Sequence, residues 1–172
     1  EDIAKTQEVI EATGKLKRGL MQQLFTRGIG HTKFKKTELG EIPTEWVVKE
    51  LKDVSTKIGD GLHGTPEYSD DSEFYFINGN NISERRIKIY PETKKISVEE
   101  HQLHKKELTG RSVLLSINGT IGNIGFYNGE KVALGKSVAY INCDDKINKE
   151  FIAYQLETER IYKHFTKELT GT

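Results

Sequence analysis

The stretch that decides the fold runs from Val113 to Asn142 and reads VLLSINGTIGNIGFYNGEKVALGKSVAYIN. It contains three short apolar runs with the length of buried strands, at 113–115, 132–134 and 138–141. Asn118-Gly119 and Asn128-Gly129 favour positive φ and predict tight turns, the second of them in a hairpin. The sequence therefore predicts a β framework whose loops carry polar side chains and no obvious catalytic base.

The segment before this stretch repeats the same pattern of loop, strand and polar turn. The eight residues 59–66 contain three glycines and a proline, so they predict a loop that exposes His63. Phe74 to Ile77 form a strong β run that ends at Asn78-Gly79-Asn80-Asn81, and residues 86–90 alternate as a half-exposed strand. After the framework, residues 151–165 predict an amphipathic helix that packs on the core.

Length and composition limit the class of protein. A chain of 172 residues with 35% hydrophobic content suffices for one globular domain and an appendage. It has no apolar run of the roughly 20 residues that cross a membrane, and no signal-peptide pattern. The single Cys143 excludes an intramolecular disulfide. These features predict a cytoplasmic protein without membrane contact.

Charge is distributed unevenly although the net charge is zero. Residues 60–84 hold six acidic and no basic residues, whereas residues 85–136 hold ten basic and five acidic ones. The second segment is suited to a polyanion and the first to a basic partner, although solvated surface charge explains both equally well.

The first 27 residues predict a long amphipathic helix. Acidic residues fill its first half and basic residues its second, which suits the helix dipole, and Gly28 and Gly30 end it. Its apolar stripe comprises Ile3, Ile10, Leu16, Leu20 and Leu24. The stripe packs either on its own domain or against another helix as a coiled coil, and the length of the helix favours the second arrangement.

Three other motifs are weak signals for chemistry. Gly135-Lys136-Ser137 lacks the preceding glycine and following helix of a phosphate loop. Gly119-Thr120-Ile121-Gly122 is flanked by strands, unlike the helix-flanked loop of single-strand RNA-binding modules. His101 and His104 share a predicted helix face, but no clear third metal ligand accompanies them. Catalysis and metal binding are therefore not predicted.

Taken in order, several motifs resemble the target recognition domain of type I restriction-modification specificity subunits (HsdS). The domain motifs are LGEIP at 39–43 with Trp46, DGLHGTP at 60–66, FINGNNI at 76–82 and LLSINGTIG at 114–122. The helix segment 15–28, KLKRGLMQQLFTRG, is similar to the end of that family's conserved spacer helix. The resemblance thus covers nearly the whole sequence.

This resemblance implies a mixed α/β (α+β), strand-rich recognition domain preceded by a long coiled-coil-type helix. The expected organisation is a spacer helix at 1–28, a linker at 29–45 and a recognition domain at 46–172, truncated before the distal helix of the family. The family's subunits carry two such domains, each binding half of a split DNA site, so a half-subunit or a fragment is expected.

The resemblance also implies the partners and the cofactors. The expected partners are double-stranded DNA, methyltransferase subunits, a restriction and translocase subunit, and a second recognition domain or second copy paired through the long helix. S-adenosylmethionine, ATP and magnesium would belong to the partner subunits, which leaves this chain without a cofactor or a catalytic role.

On this basis the polar loops are expected to contact bases in the major groove and the basic residues to contact phosphates. The expected DNA-binding residues are His63, Thr65, Asn78, Asn80, Asn81, Arg85, Arg86, Lys88, Ser116, Asn118, Gly119, Thr120, Lys136 and Ser137. Two other classes fit the residues: a β module that binds a carbohydrate or a peptide, and a scaffold that acts only through its helix.

Overall fold

The computed structural model describes residues 2–163. Its helices are α1 (Asp2–Thr26), α2 (Val98–His104) and α3 (Lys149–Leu156), with short 3₁₀ turns at Leu51–Val54 and Gly79–Asn81. Its strands are β1 (Phe34–Thr37), β2 (Gly40–Pro43), β3 (Ser55–Asp60), β4 (Phe74–Ile77), β5 (Ile82–Ser83), β6 (Arg86–Ile87), β7 (Lys95–Ile96), β8 (Ser112–Ser116), β9 (Ile124–Phe126), β10 (Val132–Leu134) and β11 (Val138–Cys143). The mixed α+β class predicted from the sequence is confirmed.

An antiparallel sheet in the order β3-β11-β8-β9 lies at the centre of the domain. Every residue of β8 is buried, so both faces of this strand are covered. Because side chains alternate along a strand, Leu114 packs in one apolar cluster while Val113 and Leu115 pack in another. The second cluster includes Ile152 and Leu156 of α3, which confirms the predicted packing of that helix on the core.

A second sheet has the order β10-β4-β7. β4 pairs parallel with β10, Ile77 opposite Leu134, and antiparallel with β7. Ile77 and Leu134 are fully buried and belong to the same apolar cluster as Leu114 of β8. This cluster therefore lies between the two sheets. The core thus forms from strands far apart in the sequence.

The hairpin predicted at Asn128-Gly129 is wrong. Gly129 has the expected positive φ of 95°, but the strands on either side of the turn do not pair. β9 belongs to the central sheet and β10 to the second one. A turn signal fixes only the local direction of the chain, whereas burial of Val132, Ala133 and Leu134 is achieved beside β4.

The long helix and the segment that follows it differ in part from expectation. α1 ends near Gly28 as predicted, where the Gly28 N–H bonds to the carbonyls of Gln23 and Leu24. The segment predicted as a linker, 29–45, instead contains an antiparallel hairpin of β1 and β2. Ile42 and Pro43 of this hairpin are buried, and their burial gives the segment a regular structure.

Within residues 2–163, α1 makes ring contacts with the rest of the domain near its end. The Phe25 ring lies 5.6 Å from that of Phe151 and 6.2 Å from that of Tyr154, both on α3. No residue of α1 is buried, and its exposed apolar residues include Ile3, Ile10, Leu16, Leu20 and Leu24. Within residues 2–163, the stripe is therefore exposed and is not packed on the domain.

Two further predictions hold only in part. The strand predicted at 86–90 is reduced to β6, Arg86–Ile87. The helix predicted at 151–165 begins as α3 at Lys149 and reaches Leu156. Residues 159–163 are again helical, and 164–165 lie outside the described residues. Between residues 2 and 163, no helix combines the length and apolar character needed to cross a membrane.

Candidate functional site

Four polar loops meet at one edge of the two sheets. β3, β4, β8 and β10 end at this edge, and β11 begins there, since Asp60 pairs with Ala139, Ile77 with Leu134 and Ser116 with Val138. We call this surface the loop edge and define it as residues 60–65, 78–81, 116–120 and 135–137. Strand pairing therefore brings the three motifs predicted to contact a ligand into one place.

The loop that follows β3 is fixed to the sheets by its backbone. The Gly61 N–H donates to the Val138 carbonyl at 3.1 Å and the Leu62 N–H to the Leu134 carbonyl at 2.7 Å. A Cβ atom at Gly61 would lie 2.2 Å from the Leu134 oxygen, a distance that no side chain tolerates. Glycine at this position therefore allows the close approach of two backbones.

Beyond this anchor the loop exposes polar side chains. His63 and Thr65 are exposed, as the sequence predicted, while Pro66 is buried. His63 Nε2 lies 2.5 Å from the carboxylate oxygen Oδ2 of Asp60. Asp60 is not among the residues predicted to bind DNA, although it begins the motif at 60–66 and precedes His63 by three residues.

The turn that follows β4, residues 78–81, is stabilised by hydrogen bonds within itself and to the loop 135–137. Asn81 is buried, accepts a hydrogen bond from the Asn78 N–H and donates to the carbonyl of Lys88. The Ser137 hydroxyl donates to Asn78 Oδ1 at 3.0 Å and accepts from the Gly79 N–H at 2.9 Å. These bonds connect loops 78–81 and 135–137 and leave only Asn80 of the four turn residues exposed.

The loop that follows β8 has a buried base and an exposed tip. Ser116 is fully buried; its hydroxyl donates to the Thr120 carbonyl and accepts from the Asn123 N–H. Asn118, Gly119 and Thr120 are exposed, and Asn118 Oδ1 accepts from the Gly119 N–H at 2.8 Å. Gly119 has a φ of 73°, as its place in a tight turn requires.

The candidate residues of the loop edge therefore fall into two groups. Asn81 and Ser116 have their side chains buried and bonded within the protein, so in this conformation they cannot meet a base edge, contrary to expectation. Asn78 and Ser137 are half-buried and bonded to each other. The exposed residues are His63, Thr65, Asn80, Asn118, Gly119, Thr120 and Lys136.

Among the basic residues predicted at 85–88, Lys88 is bonded through its backbone to Asn81 of the loop edge, whereas Arg85 bridges to Gly125 in the middle of β9. Its guanidinium lies 2.6 Å from Glu157 and 4.1 Å from the centre of the Tyr154 ring, and its side chain is 23% exposed. Lys88 pairs with Glu84 at 2.8 Å, and this bond lowers the pKa of Glu84. Among the described residues, Arg86 and Lys136 are exposed and make no ion pair.

The two histidines of α2, His101 and His104, contact other side chains of the protein. The His101 ring stacks on Phe74 with a centre-to-centre distance of 4.0 Å, and burial is the main cause that lowers its pKa. His104 lies 3.5 Å from a carboxylate oxygen of Glu100. No group of three or more histidine, cysteine, aspartate or glutamate side chains within residues 2–163 is arranged to hold a metal ion.

Comparison with known proteins gives consistent matches. Residues 43–172 match the family described as type I restriction modification DNA specificity domain. The MjaVIII type I restriction enzyme specificity subunit of Methanocaldococcus jannaschii is 31% identical over 179 residues, a match that covers 95% of this chain. The chain spans 40% of the length of that relative.

Two solved structures share the fold. The HsdS subunit from Thermoanaerobacter tengcongensis matches with a TM-score of 0.62 and 16% identity, over 97% of this chain and 39% of that one. A chain from a structural study of complex assembly and conformational transition in a type I restriction-modification system matches with a TM-score of 0.52 and 16% identity, over 90% of this chain and 39% of that one. At this identity the likeness establishes the fold alone.

Proposed function

The chain belongs to the family of type I restriction modification DNA specificity domains, and from this membership we propose that its loop edge reads one half of a split target in double-stranded DNA. The membership confirms the resemblance seen in the sequence motifs. Its relatives are named specificity subunits, so the domain is a non-catalytic component of such a system.

The observation that carries the proposal is the convergence of four loops with exposed amide, imidazole and hydroxyl groups. Asn80 and Asn118 each present a side-chain amide, which can both donate and accept hydrogen bonds, as bidentate pairing with adenine requires. His63 and Thr65 extend this polar surface on the loop that follows β3. Such groups distinguish base pairs by the donors and acceptors at their major-groove edges.

The buried members of the four loops have a different task in this proposal. Asn81, Ser116 and the Asn78–Ser137 pair hold the loop backbones at fixed positions, and so fix the positions of the exposed tips. A side chain whose support is rigid loses less entropy when it binds. We therefore assign these residues to positioning of the loops and not to direct contact with bases.

Phosphate contacts are assigned to the exposed cations. Lys136 lies on the loop edge and Arg86 on β6, and neither makes an ion pair within the described residues. Both therefore remain available to neutralise phosphates, which strengthens binding without regard to sequence. Arg85 and Lys88 have acidic partners in the protein and contribute less.

The exposed stripe of α1 supports a role in assembly. Ile10 is 62% exposed and Leu16 is 63% exposed, values that favour coverage by another helix. We assign this stripe to pairing with the helix of a second recognition domain or of a second copy, in a cytoplasmic complex. Methyltransferase subunits and a restriction and translocase subunit would join that complex and bring S-adenosylmethionine, ATP and magnesium.

A matched pair of asparagine variants tests the base-reading role. Asn118 lies on the loop edge, whereas exposed Asn128 follows β9 at the opposite end of the β8-β9 pair. Duplexes with a randomised segment are first selected on the full chain to define a preferred sequence. Binding of that sequence and of a scrambled duplex is then measured by fluorescence anisotropy for the parent, Asn118→Ala and Asn128→Ala.

Asn118→Ala should weaken binding of the selected duplex by about five- to 150-fold, the range of one good base contact. Its binding of the scrambled duplex should change little, and Asn128→Ala should match the parent on both. Equal losses on the two duplexes, or no selected sequence at all, would overturn base reading by the loop edge.

A further inference from the structure

We propose that Asp60 is a positioning residue that fixes the proton of His63 on Nε2, so that Nδ1 faces the DNA as a hydrogen-bond acceptor. The base then recognised is one that offers an exocyclic amine in the major groove, adenine or cytosine. This inference rests on the proposed function, because it names the chemistry by which one residue of the loop edge selects its base.

The first support is the geometry of the pair. His63 Nε2 and Asp60 Oδ2 are 2.5 Å apart, within hydrogen-bond distance. The His63 side chain is 71% exposed and that of Asp60 43% exposed. Within the described part of the chain Nδ1 has no partner, so it is the ring nitrogen left for a ligand.

The second support is the rigid attachment of both residues. Asp60 is the last residue of β3 and pairs with Ala139 in the central sheet. The two residues after it are bonded through their backbones to Val138 and Leu134, and Pro66 is buried. The carboxylate therefore sits on the sheet and holds the ring of a loop that is itself anchored on both sides of His63.

The chemistry follows from the ionised carboxylate. It has no proton to donate, so a neutral imidazole bonded to it must carry its hydrogen on Nε2. Nδ1 then has a free lone pair and accepts a hydrogen bond. In the major groove adenine N6 and cytosine N4 donate hydrogen bonds, whereas guanine O6 and thymine O4 accept them. Discrimination between amine and carbonyl edges at one position is the expected result.

The test uses the full chain and duplexes that carry a randomised segment. Sequence preferences are determined for the parent, His63→Ala, Asp60→Asn and Glu67→Gln. An asparagine amide both donates and accepts, so Asp60→Asn allows both tautomers of His63. Glu67→Gln is the control, since it removes one negative charge from an exposed side chain near the same loop.

The parent should prefer adenine or cytosine at one position. His63→Ala should reduce the ratio of affinities for preferred and other bases at that position by a factor of about five to 150. Asp60→Asn should lose most of the preference at the same position and keep the others, whereas Glu67→Gln should match the parent. Unchanged preferences in Asp60→Asn would overturn the positioning role even if Asn118→Ala behaves as proposed above. If the parent selects no sequence, the proposed function fails together with this inference.

A spectroscopic measurement decides the tautomer without DNA. Long-range ¹H–¹⁵N correlation spectra distinguish a protonated from an unprotonated ring nitrogen. At mildly alkaline pH the parent should show His63 protonated at Nε2 and unprotonated at Nδ1, and Asp60→Asn should show a mixture. The His63→Ala variant identifies the His63 signal by its disappearance. A parent ring with its hydrogen on Nδ1, or a spectrum unchanged by Asp60→Asn, would overturn the inference.

Discussion

The Ser137 hydroxyl lies 3.0 Å from Asn78 Oδ1 and joins two loops that are 59 residues apart in the sequence. The same hydroxyl accepts the Gly79 N–H, so one side chain satisfies two groups of the opposite turn. A Cβ atom at Gly135, two residues before Ser137, would lie 2.3 Å from Asn78 Oδ1. The two loops therefore approach so closely that position 135 has no room for a side chain.

We expect Ser137→Ala to destabilise the domain by about 1–3 kcal/mol, because it leaves two half-buried polar groups without a partner. Urea unfolding followed by circular dichroism measures the loss. Ser83→Ala is the control, since the Ser83 hydroxyl makes no hydrogen bond within the described residues, and it should change stability by less than about 0.5 kcal/mol. Similar unfolding midpoints for the two variants would contradict the bracing role of Ser137.

Gly61→Ala should be strongly destabilising, because the new methyl group would overlap the Leu134 carbonyl. Overpacking of this kind costs about 1–3 kcal/mol or more when backbone must move. Gly64→Ala in the same loop is the matched control: the nearest atom to its added Cβ is Leu62 Cδ1 at 3.8 Å. Thermal unfolding should separate the two variants clearly, and equal melting temperatures would count against the close approach of 61 and 134.

Adjacent arginines should have opposite roles. Arg85→Ala removes the bond to Glu157 and the stacking on Tyr154, and should cost about 1.5–3 kcal/mol of folding stability. Arg86→Ala, at an exposed site, should leave stability within about 0.5 kcal/mol. It should instead lower the salt dependence of DNA binding by about one unit of slope. Reversed effects in unfolding and salt titrations would refute this division.

His101 should make stability depend on pH. Burial, aided by the charge of Lys105, lowers the pKa of His101 below its ordinary value of 6.5. The unfolded chain then binds the proton more readily than the folded one, so this stabilisation is present above pH 6.5 and is lost as the pH falls below it. His101→Phe, which can still stack on Phe74, should unfold with a weaker dependence on pH in urea titrations at mildly acidic pH. An unchanged dependence would exclude His101 as its source.

Local sequence patterns correctly predicted four strands and the end of the long helix, because these features depend on residues close together in the chain. The runs at 113–115, 132–134, 138–141 and 74–77 are the strands β8, β10, β11 and β4. Gly28 ends α1 as predicted, and the order of motifs predicted the family. Local patterns did not predict the hairpin at 34–43, because its few apolar residues give a weak periodic signal. Its strands are stabilised in the folded domain by the burial of Ile42 and Pro43.

The sequence by itself determined where strands, turns and the long helix occur, because backbone preference and side-chain alternation act over a few residues. Only the tertiary structure decided which strands are neighbours: β10 pairs with β4 and not with β9. It also decided that Asn81 and Ser116 face inward, and that Asp60 lies against His63. Residues distant in the chain are brought together by burial of a shared core, and that choice depends on all the strands at once.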